Sequence, residues 1–281
     1  MIGIIGGTGL YKIDGISNVS SRSIETPFGA PSANILIGEL SGIKIAFLPR
    51  HGSDHQILPS EINYRANIWA LKTVGVRQII SVSAVGSLRE EVHPGDLAMP
   101  SQYFDWTRGR RIGSFFGQGL VAHISTAQPS CATLSKTIQD CSRQTDIRIH
   151  ESKTYACVEG PRLGTRAESL FLRQAGCDLV GMTNVPEVFL AREAQICYCT
   201  IAVATDYDCW LDDPSQHASV EKVIELYGKN ISRVQSLLKK VVEHESNHTE
   251  CSCHSALKFA VMTKESVLSH EQRQILAFLK E

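Results

Sequence analysis

Ile196 to Ala204 is an uninterrupted run of apolar and small residues without a charge, and it leads into Asp206-Tyr207-Asp208. Such a run is the profile of a strand covered on both faces, the situation of a parallel sheet held between helices. The neighbouring sequence supplies one of those covers. Asp178 to Gly181 reads as a short strand, Met182 to Pro186 as a turn, and Glu187 to Gln195 as a helix, with Pro186 suited to its first turn. Carboxylates delivered at the carboxyl end of a buried strand lie where α/β sheets place their ligands, so Asp206 and Asp208 are read as the floor of a binding site.

The unit of strand, small-residue turn and helix recurs along the chain. Ile2 to Ile5 runs into Gly6-Gly7-Thr8-Gly9, whose glycines let backbone N–H groups approach an anion. The spacing matches neither GxGxxG nor a P-loop, and a tight turn without a ligand explains it as well. Ala33 to Leu40 and Ile43 to Leu48 form a hairpin turning at Ser41-Gly42 and delivering Pro49-Arg50-His51-Gly52. An arginine beside a histidine at a strand end suits an oxyanion, because a guanidinium fork matches phosphate bidentately. A surface loop with an incidental ion pair is the plain alternative. His51 and His55 have HxxxH spacing, but Gly52, Pro49 and Pro59 argue against the helix that a metal pair of that kind needs.

Further on, Ser60 to Val74 reads as a core helix and Val76 to Val82 as a strand. The strand opens into Ser83-Ala84-Val85-Gly86-Ser87, a turn able to present hydroxyl and N–H donors. Asp96 to Pro100 and Thr154 to Val158 read as strands, and 131–145 and Thr165 to Ala175 as helices. Ser219 to Glu243 is a long helix with Val220, Val223, Ile224, Leu226, Ile231, Val234, Leu237 and Leu238 on one stripe. The repetition predicts an α/β fold, a single domain with a central twisted mixed β-sheet, largely parallel, flanked by helices.

Two stretches stand outside that rhythm. Residues 101–130 read as a long irregular excursion with Trp106, the basic knot Arg108, Arg110 and Arg111, and Phe115-Phe116, a content that favours a subunit contact. From His244 the chain turns polar and reaches Cys251-Ser252-Cys253-His254, followed by short helical patterns, the last opened by a Ser269/Gln272 capping box. C-x-C lacks the spacing of ordinary zinc modules, so no metal is expected there, and a Cys251–Cys253 disulfide or a mobile tail is the reading. The domain expectation is therefore 1–243 for the core and 244–281 for an extension packed on it or trailing from it.

Charge and hydropathy narrow the partner. Lysines and arginines number 28 against 29 acidic residues, a net charge of -1, which leaves no basic surface to hold nucleic acid or an anionic membrane. A small molecule is the expected partner. With no basic leader after Met1, no apolar run near membrane-spanning length and scattered cysteines set within buried segments, a cytoplasmic location is expected.

Taken in order, Gly6-Gly7-Thr8-Gly9, Thr26-Pro27-Phe28-Gly29, Arg50-His51-Gly52 with His55, Asn63-Tyr64-Arg65-Ala66-Asn67, Ala84-Val85-Gly86-Ser87-Leu88, Glu159-Gly160-Pro161-Arg162, Met182-Thr183 with Pro186-Glu187, and Ala204-Thr205-Asp206-Tyr207-Asp208 form one series. Over about residues 2–240 that series resembles the trimeric class of purine nucleoside phosphorylases, and within it the 5'-methylthioadenosine phosphorylases. The resemblance implies the nucleoside phosphorylase fold and a pentosyltransferase that uses inorganic phosphate as co-substrate and no cofactor. It implies phosphate binding by Thr8, Arg50, His51, Ser83, Ala84 and Thr183, ribose contact by Met182, and recognition of the purine edge by Asp206 and Asp208. His123, Val220 and Val223 match positions around the 5' substituent, the histidine coming from a neighbouring subunit of a homotrimer whose pairing into hexamers is left open. Asp206 is the expected proton donor to N7, since an apolar pocket raises a carboxyl pKa.

The reaction implied is reversible phosphorolysis of 5'-methylthioadenosine to adenine and 5-methylthioribose 1-phosphate. An ionised carboxylate only accepts hydrogen bonds, so Asp206 with Asp208 suits the amino group of adenine. Where relatives carry a stacking aromatic residue and a serine, this chain has Leu163 and Gly164. That departure keeps 6-oxopurine nucleosides, methylthioinosine or a broad purine range open as substrates. A binding protein without turnover and a hydrolase are the readings of other kinds, and the complete anion clamp speaks against both.

Overall fold

The computed structural model describes residues 1–7, 10, 15–109, 111–244 and 251–281. Thr8, Gly9 and Arg110 lie outside that set. The chain opens with β1 (Ile2–Gly6), β2 (Ile16–Arg22), β3 (Ile35–Leu40) and β4 (Ile43–Pro49), then α1 (Tyr64–Thr73), β5 (Gln78–Ser87) and β6 (Leu97–Trp106). It continues with α2 (Ala132–Gln144), β7 (Ile149–Val158), α3 (Arg166–Gln174), β8 (Leu179–Gly181), α4 (Asn184–Glu193), β9 (Cys197–Asp206), α5 (Val220–His244) and α6 (His270–Lys280). This is the expected α/β domain, a mixed sheet flanked by helices.

The sheet runs β2-β3-β4-β1-β5-β8-β7-β6-β9, and β9 also pairs with β5. Five strands, β5, β8, β7, β6 and β9, thus close a ring, and β1, β4, β3 and β2 extend from it as an open wing. β1 is parallel to β4 and β5, and β5 is parallel to β9, so the ends of these strands that carry Gly6, Pro49 and Asp206 point the same way. Apolar side chains gather on both faces of the sheet. One cluster joins Ile68 and Trp69 of α1 to Val188 and Leu190 of α4 and to Leu257, Ala260 and Leu279 near the C-terminus. The other joins Leu134 and Ile138 of α2 to Val234, Leu237, Leu238 and Val241 of α5.

Local chemistry sets several boundaries. The β3–β4 turn places Ser41 and Gly42 at φ 53° and 77°, the positive-φ pair that matches strand twist in a tight hairpin. Capping boxes open α3 at Thr165/Glu168 and α6 at Ser269/Gln272. Elsewhere pairing overrides local sequence. β5 continues through the expected turn to Ser87, because β9 pairs with it up to Gly86 and β8 takes Gly86 and Ser87. β6 continues to Trp106 because β7 pairs along it, so the irregular excursion begins only after that residue. β2 is an addition; its sequence ISNVSSR is exposed along nearly its whole length and shows no buried period. The expected stripe on α5 divides: Val234, Leu237 and Leu238 are buried, whereas Val220 and Ile224 are 65% and 68% exposed. Among the described residues no helix is long and apolar enough to cross a membrane.

Candidate active site

The site forms where one edge of β5 is left open. β1 pairs with β5 up to Ser81 and β8 pairs with it from Gly86, so among the described residues no strand covers Val82 to Val85 on that side. A break of this kind between neighbouring strands is where α/β sheets bind ligands. Val82 turns its carbonyl into the break and bonds Arg50 Nη1 at 3.1 Å, while Val85 turns its own toward Thr205 of β9. Alternate residues face opposite edges, which points the Ala84 N–H into the break as well. Ser83 is 7% exposed, and its Oγ is buried without a hydrogen bond. An unspent buried donor of that sort calls for a polar partner.

Arg50 is 1% exposed, and its fork is not free for an anion. Nε and Nη2 bond the Glu187 carboxylate at 2.7 and 3.0 Å, and Nη2 also reaches Ser81 Oγ at 2.6 Å. With Val82 O added, only one of the five guanidinium N–H groups remains. The expectation of a bidentate grip on phosphate by Arg50 is corrected accordingly: the bidentate partner is Glu187. Glu187 is itself wholly buried and also accepts from Ser81 Oγ and from Tyr198 Oη, each at 2.8 Å. Asn184 Nδ2 donates to Ser81 Oγ and Tyr198 Oη at 3.1 and 3.0 Å. The ion pair therefore fixes the start of α4 against β5 and β9. Thr183 is the N-cap of α4, 7% exposed, with no side-chain capping bond and its N–H directed to Tyr155 Oη at 3.3 Å.

His51 faces the glycine turn, for a Cβ built on Gly7 would lie 4.0 Å from its Cδ2. Its Nδ1 sits 2.9 Å from Ile57 O, which fixes the proton on Nδ1 and leaves the Nε2 lone pair to the site. Burial and the charge of Arg50 push its pKa down from 6.5 to about 4, so the ring is neutral at pH 7.

Across the break, Asp206 and Asp208 stand together at the end of β9, each 6% exposed. Thr205 Oγ1 lies 2.7 Å from Asp206 Oδ2, and the Asp208 N–H donates to Asp206 Oδ1 at 2.7 Å. Burial raises the pKa of both carboxyls. Gly86 makes room for them: a Cβ there would come 3.0 Å from Asp206 Oδ1 and 3.2 Å from Asp208 Cβ. Gly164 lies beside Asp208, its built Cβ 3.7 Å from Oδ2, and both line a cavity of about 230 Å³ with Trp106, Glu159 and Ser169. Leu163 is 37% exposed.

Met182 packs on Gly160 and is held from behind by Arg111. Arg111 Nη1 donates to Met182 O at 2.7 Å and Val185 O at 2.6 Å, while Nε pairs with Glu159 at 3.3 Å. Its side chain is 2% exposed, which corrects the expectation of a subunit-facing basic knot for this residue. Phe115 likewise belongs to the core, 4% exposed against Phe28 and Trp69. Arg108 remains exposed. His123 is also exposed, its N–H bonded to Ala260 O, and Val223 at the start of α5 is half-buried. Neither His123, Val220 nor Val223 bonds to the strand-end cluster. The fold thus draws together Arg50, His51, Ser83, Ala84, Met182, Thr183, Asp206 and Asp208 and leaves those three on the surface. Sequence reading gave no role to Ser81 or Asn184, quoted Glu187 only within the Pro186-Glu187 motif and placed Arg111 in the basic knot. A glutamate in the otherwise apolar start of α4 was the one available signal.

A sequence model of the phosphorylase superfamily matches residues 1–243. The S-methyl-5'-thioadenosine phosphorylase of Geobacter sulfurreducens is 46% identical over 98% of this chain and 96% of its own length. That of Hyperthermus butylicus is 47% identical over 93% and 95%. Among solved structures, a methylthioadenosine phosphorylase from an Antarctic soil metagenomic library superposes with a TM-score of 0.93 at 45% identity, covering 99% of this chain and 98% of that one. The Schistosoma mansoni methylthioadenosine phosphorylase in complex with adenine gives 0.87 at 33% identity, covering 95% and 99%.

Glu187→Ala would strand the Arg50 charge in the interior, and a loss of about 3–5 kcal/mol in equilibrium denaturation is expected. A pH effect follows from His51. Its folded pKa of about 4 lies below the ordinary 6.5, so as pH falls the unfolded chain binds the proton first. Stability is at its full value above pH 6.5, falls between 6.5 and about 4, and levels off below that. Denaturation curves across this window are expected to show a smaller acid loss for His51→Gln than for the unsubstituted chain.

Proposed function

The chain belongs to the phosphorylase superfamily, and from that premise we propose that it catalyses reversible phosphorolysis of S-methyl-5'-thioadenosine, giving adenine and 5-methylthioribose 1-phosphate. The observation that carries the reading is the pair of buried carboxylates, Asp206 and Asp208, beside an uncovered edge of β5 that holds the unpaired Ser83 hydroxyl. One side of the break suits a purine and the other an oxyanion.

Breaking the N-glycosidic bond builds positive charge on the ribose and negative charge on the departing base, and both must be met by groups already in place. Phosphate lies under C1', taking hydrogen bonds from Ser83 Oγ, the Ala84 N–H and Thr183; Thr8, outside the described residues, is the further phosphate ligand that the family resemblance implies. Arg50 contributes its remaining N–H and its charge, although Glu187 neutralises much of that charge. The His51 Nε2 lone pair accepts a hydrogen bond from the P–O–H of hydrogen phosphate, which keeps its proton, an arrangement that suits a neutral ring of depressed pKa. The anion stabilises the oxocarbenium-like sugar and then captures it, with no cofactor involved. Met182 covers the ribose. Asp206, its carboxyl kept protonated to higher pH by burial, donates to N7 as the base leaves. Asp208 accepts from the exocyclic amino group.

Closure of the 5' end belongs to an assembly. His123 is exposed, and Val220 and Ile224 offer apolar side chains to the outside, which supports a homotrimer in which one subunit's histidine meets its neighbour's α5. Two trimers pairing into a hexamer is compatible with the same surfaces. A cytoplasmic setting suits an enzyme whose partners are a nucleoside and phosphate.

A second reading rests on Gly164. The serine that methylthioadenosine enzymes usually carry at this position would stand beside the Asp208 carboxylate; glycine leaves that carboxylate facing a cavity of about 230 Å³. A broader purine range, including 6-oxopurine nucleosides and methylthioinosine, follows from that looser fit.

Free base is to be measured from S-methyl-5'-thioadenosine, adenosine, inosine, guanosine and methylthioinosine, with and without phosphate. Adenine release from the first, dependent on phosphate, is expected. Release without phosphate would indicate hydrolysis, and binding without release would indicate a nucleoside-binding protein. Asp206→Asn is expected to shift preference toward 6-oxopurine nucleosides, since an Asp206 that has given its proton to N7 can then only accept, which suits N7–H and the amino group of adenine, whereas an asparagine amide always keeps a donor for O6; an unchanged ratio of kcat/KM values would place selectivity elsewhere.

A further inference from the structure

The C-x-C pair that sequence spacing set aside meets two distant cysteines. Cys131, Cys197, Cys251 and Cys253 bring their Sγ atoms within 4.8 Å of one another, and Cys131 Sγ lies 3.6 Å from Cys251 Sγ. Each half comes from a different element. Cys131 is the N-cap of α2, Cys197 is the first residue of β9, and Cys251 and Cys253 flank the start of a short 3₁₀ turn, Ser252–Ser255. All nine cysteines are free thiols.

We propose that these four cysteines form a structural tetrathiolate zinc site. In a tetrahedral zinc site with Zn–S bonds of about 2.3 Å the sulfurs are about 3.8 Å apart, close to the 3.6 Å between Cys131 and Cys251 and within the 4.8 Å that bounds the set. A covalent disulfide needs about 2.05 Å. Soft thiolates with no water position favour zinc over the hard cations. Cys131, Cys197 and Cys253 are 2–3% exposed and Cys251 half-buried, the closed character of a structural centre as opposed to a catalytic one.

The surroundings fit the charge. Zinc with four thiolates carries two negative charges, and the four thiol protons leave to solvent as the metal enters. Around the sulfurs stand groups that answer this. Arg192 Nη1 donates to Cys253 Sγ at 3.0 Å, and the Leu134 N–H at the positive end of α2 donates to Cys131 Sγ at 3.4 Å. These are the outer partners that orient and hold metal ligands. Cys199, two residues beyond Cys197, turns instead to Ser135 Oγ and takes no part.

Such a centre has a clear structural result. It staples the C-terminal segment to the start of β9, whose far end carries Asp206, and to α4 through Arg192, whose far end carries Thr183.

The test uses the full chain, expressed with added zinc and purified anaerobically without chelator. Metal analysis and native mass spectrometry are expected to find stoichiometric zinc, with the four thiols protected from alkylation until a mercurial releases the metal. Cobalt exchanged into the site is expected to give the absorption of tetrahedral thiolate coordination. Cys253→Ser and Cys197→Ser lose the metal; Cys177→Ser, outside the cluster, keeps it. If the cluster variants fail to fold, the unsubstituted protein still decides: zinc removal by chelator lowers its thermal midpoint. The proposal is overturned if that protein carries no metal and either alkylates freely at these cysteines or has a mass reduced by the hydrogens of disulfides.

Discussion

The Arg50–Glu187 pair governs the geometry of everything around it. Both side chains are essentially sealed from water, so each ion has lost its hydration and depends on the other and on the polar groups nearby. Those groups come from four parts of the chain: Arg50 follows β4, Ser81 and Val82 belong to β5, Asn184 and Glu187 open α4, and Tyr198 lies in β9. The network extends to Thr200 and Tyr103, so it runs across the sheet. A hydrophobic substitute could fill the volume, but it would not supply the directional bonds that join α4 to Arg50 and to Ser81 of β5. The anion half of the site is built on those bonds.

Charges placed this way also divide the labour between the halves of the break. Beside β1 and β4 the described residues leave Ser83 Oγ, the Ala84 N–H and one guanidinium N–H unspent, and the histidine is kept neutral. Beside β9 two carboxyls are buried within reach of each other, with Gly86 giving them room. The proposed phosphate and purine differ in what they need, and each half carries groups suited to one of them. Arg111 is the buried connection behind Met182, tying the turn between the halves to the ends of β7 and the following Glu159.

Most of this framework was readable in the residues. The uncharged run ending in Asp206 and Asp208, the hairpin at Ser41-Gly42 and the capping boxes at Thr165 and Ser269 each express a local rule, and local rules survive folding. What escaped were consequences of pairing at a distance. Ser83 to Ser87 look like a turn until β8 and β9 claim them as strand, and β2 has no apolar period because its side chains face water. Arg50 was recognisable as a charge at a strand end suited to an oxyanion, yet its partner Glu187 lies in a helix far along the chain. The same holds for the cysteines: Cys131, Cys197 and the C-x-C pair obey no spacing rule, since three separate segments deliver them.

The closed ring of β5, β8, β7, β6 and β9 has a further implication for how such a molecule could change over generations. Strands that are hydrogen-bonded on both edges cannot slide singly, so the spacing between the positions proposed to face phosphate and base is inherited as one unit. Novelty in the nucleoside accepted must then arise at side-chain tips such as Leu163 and Gly164, or at the surface where α5 begins. The barrel would act as a ratchet on backbone divergence while leaving its rim open to drift.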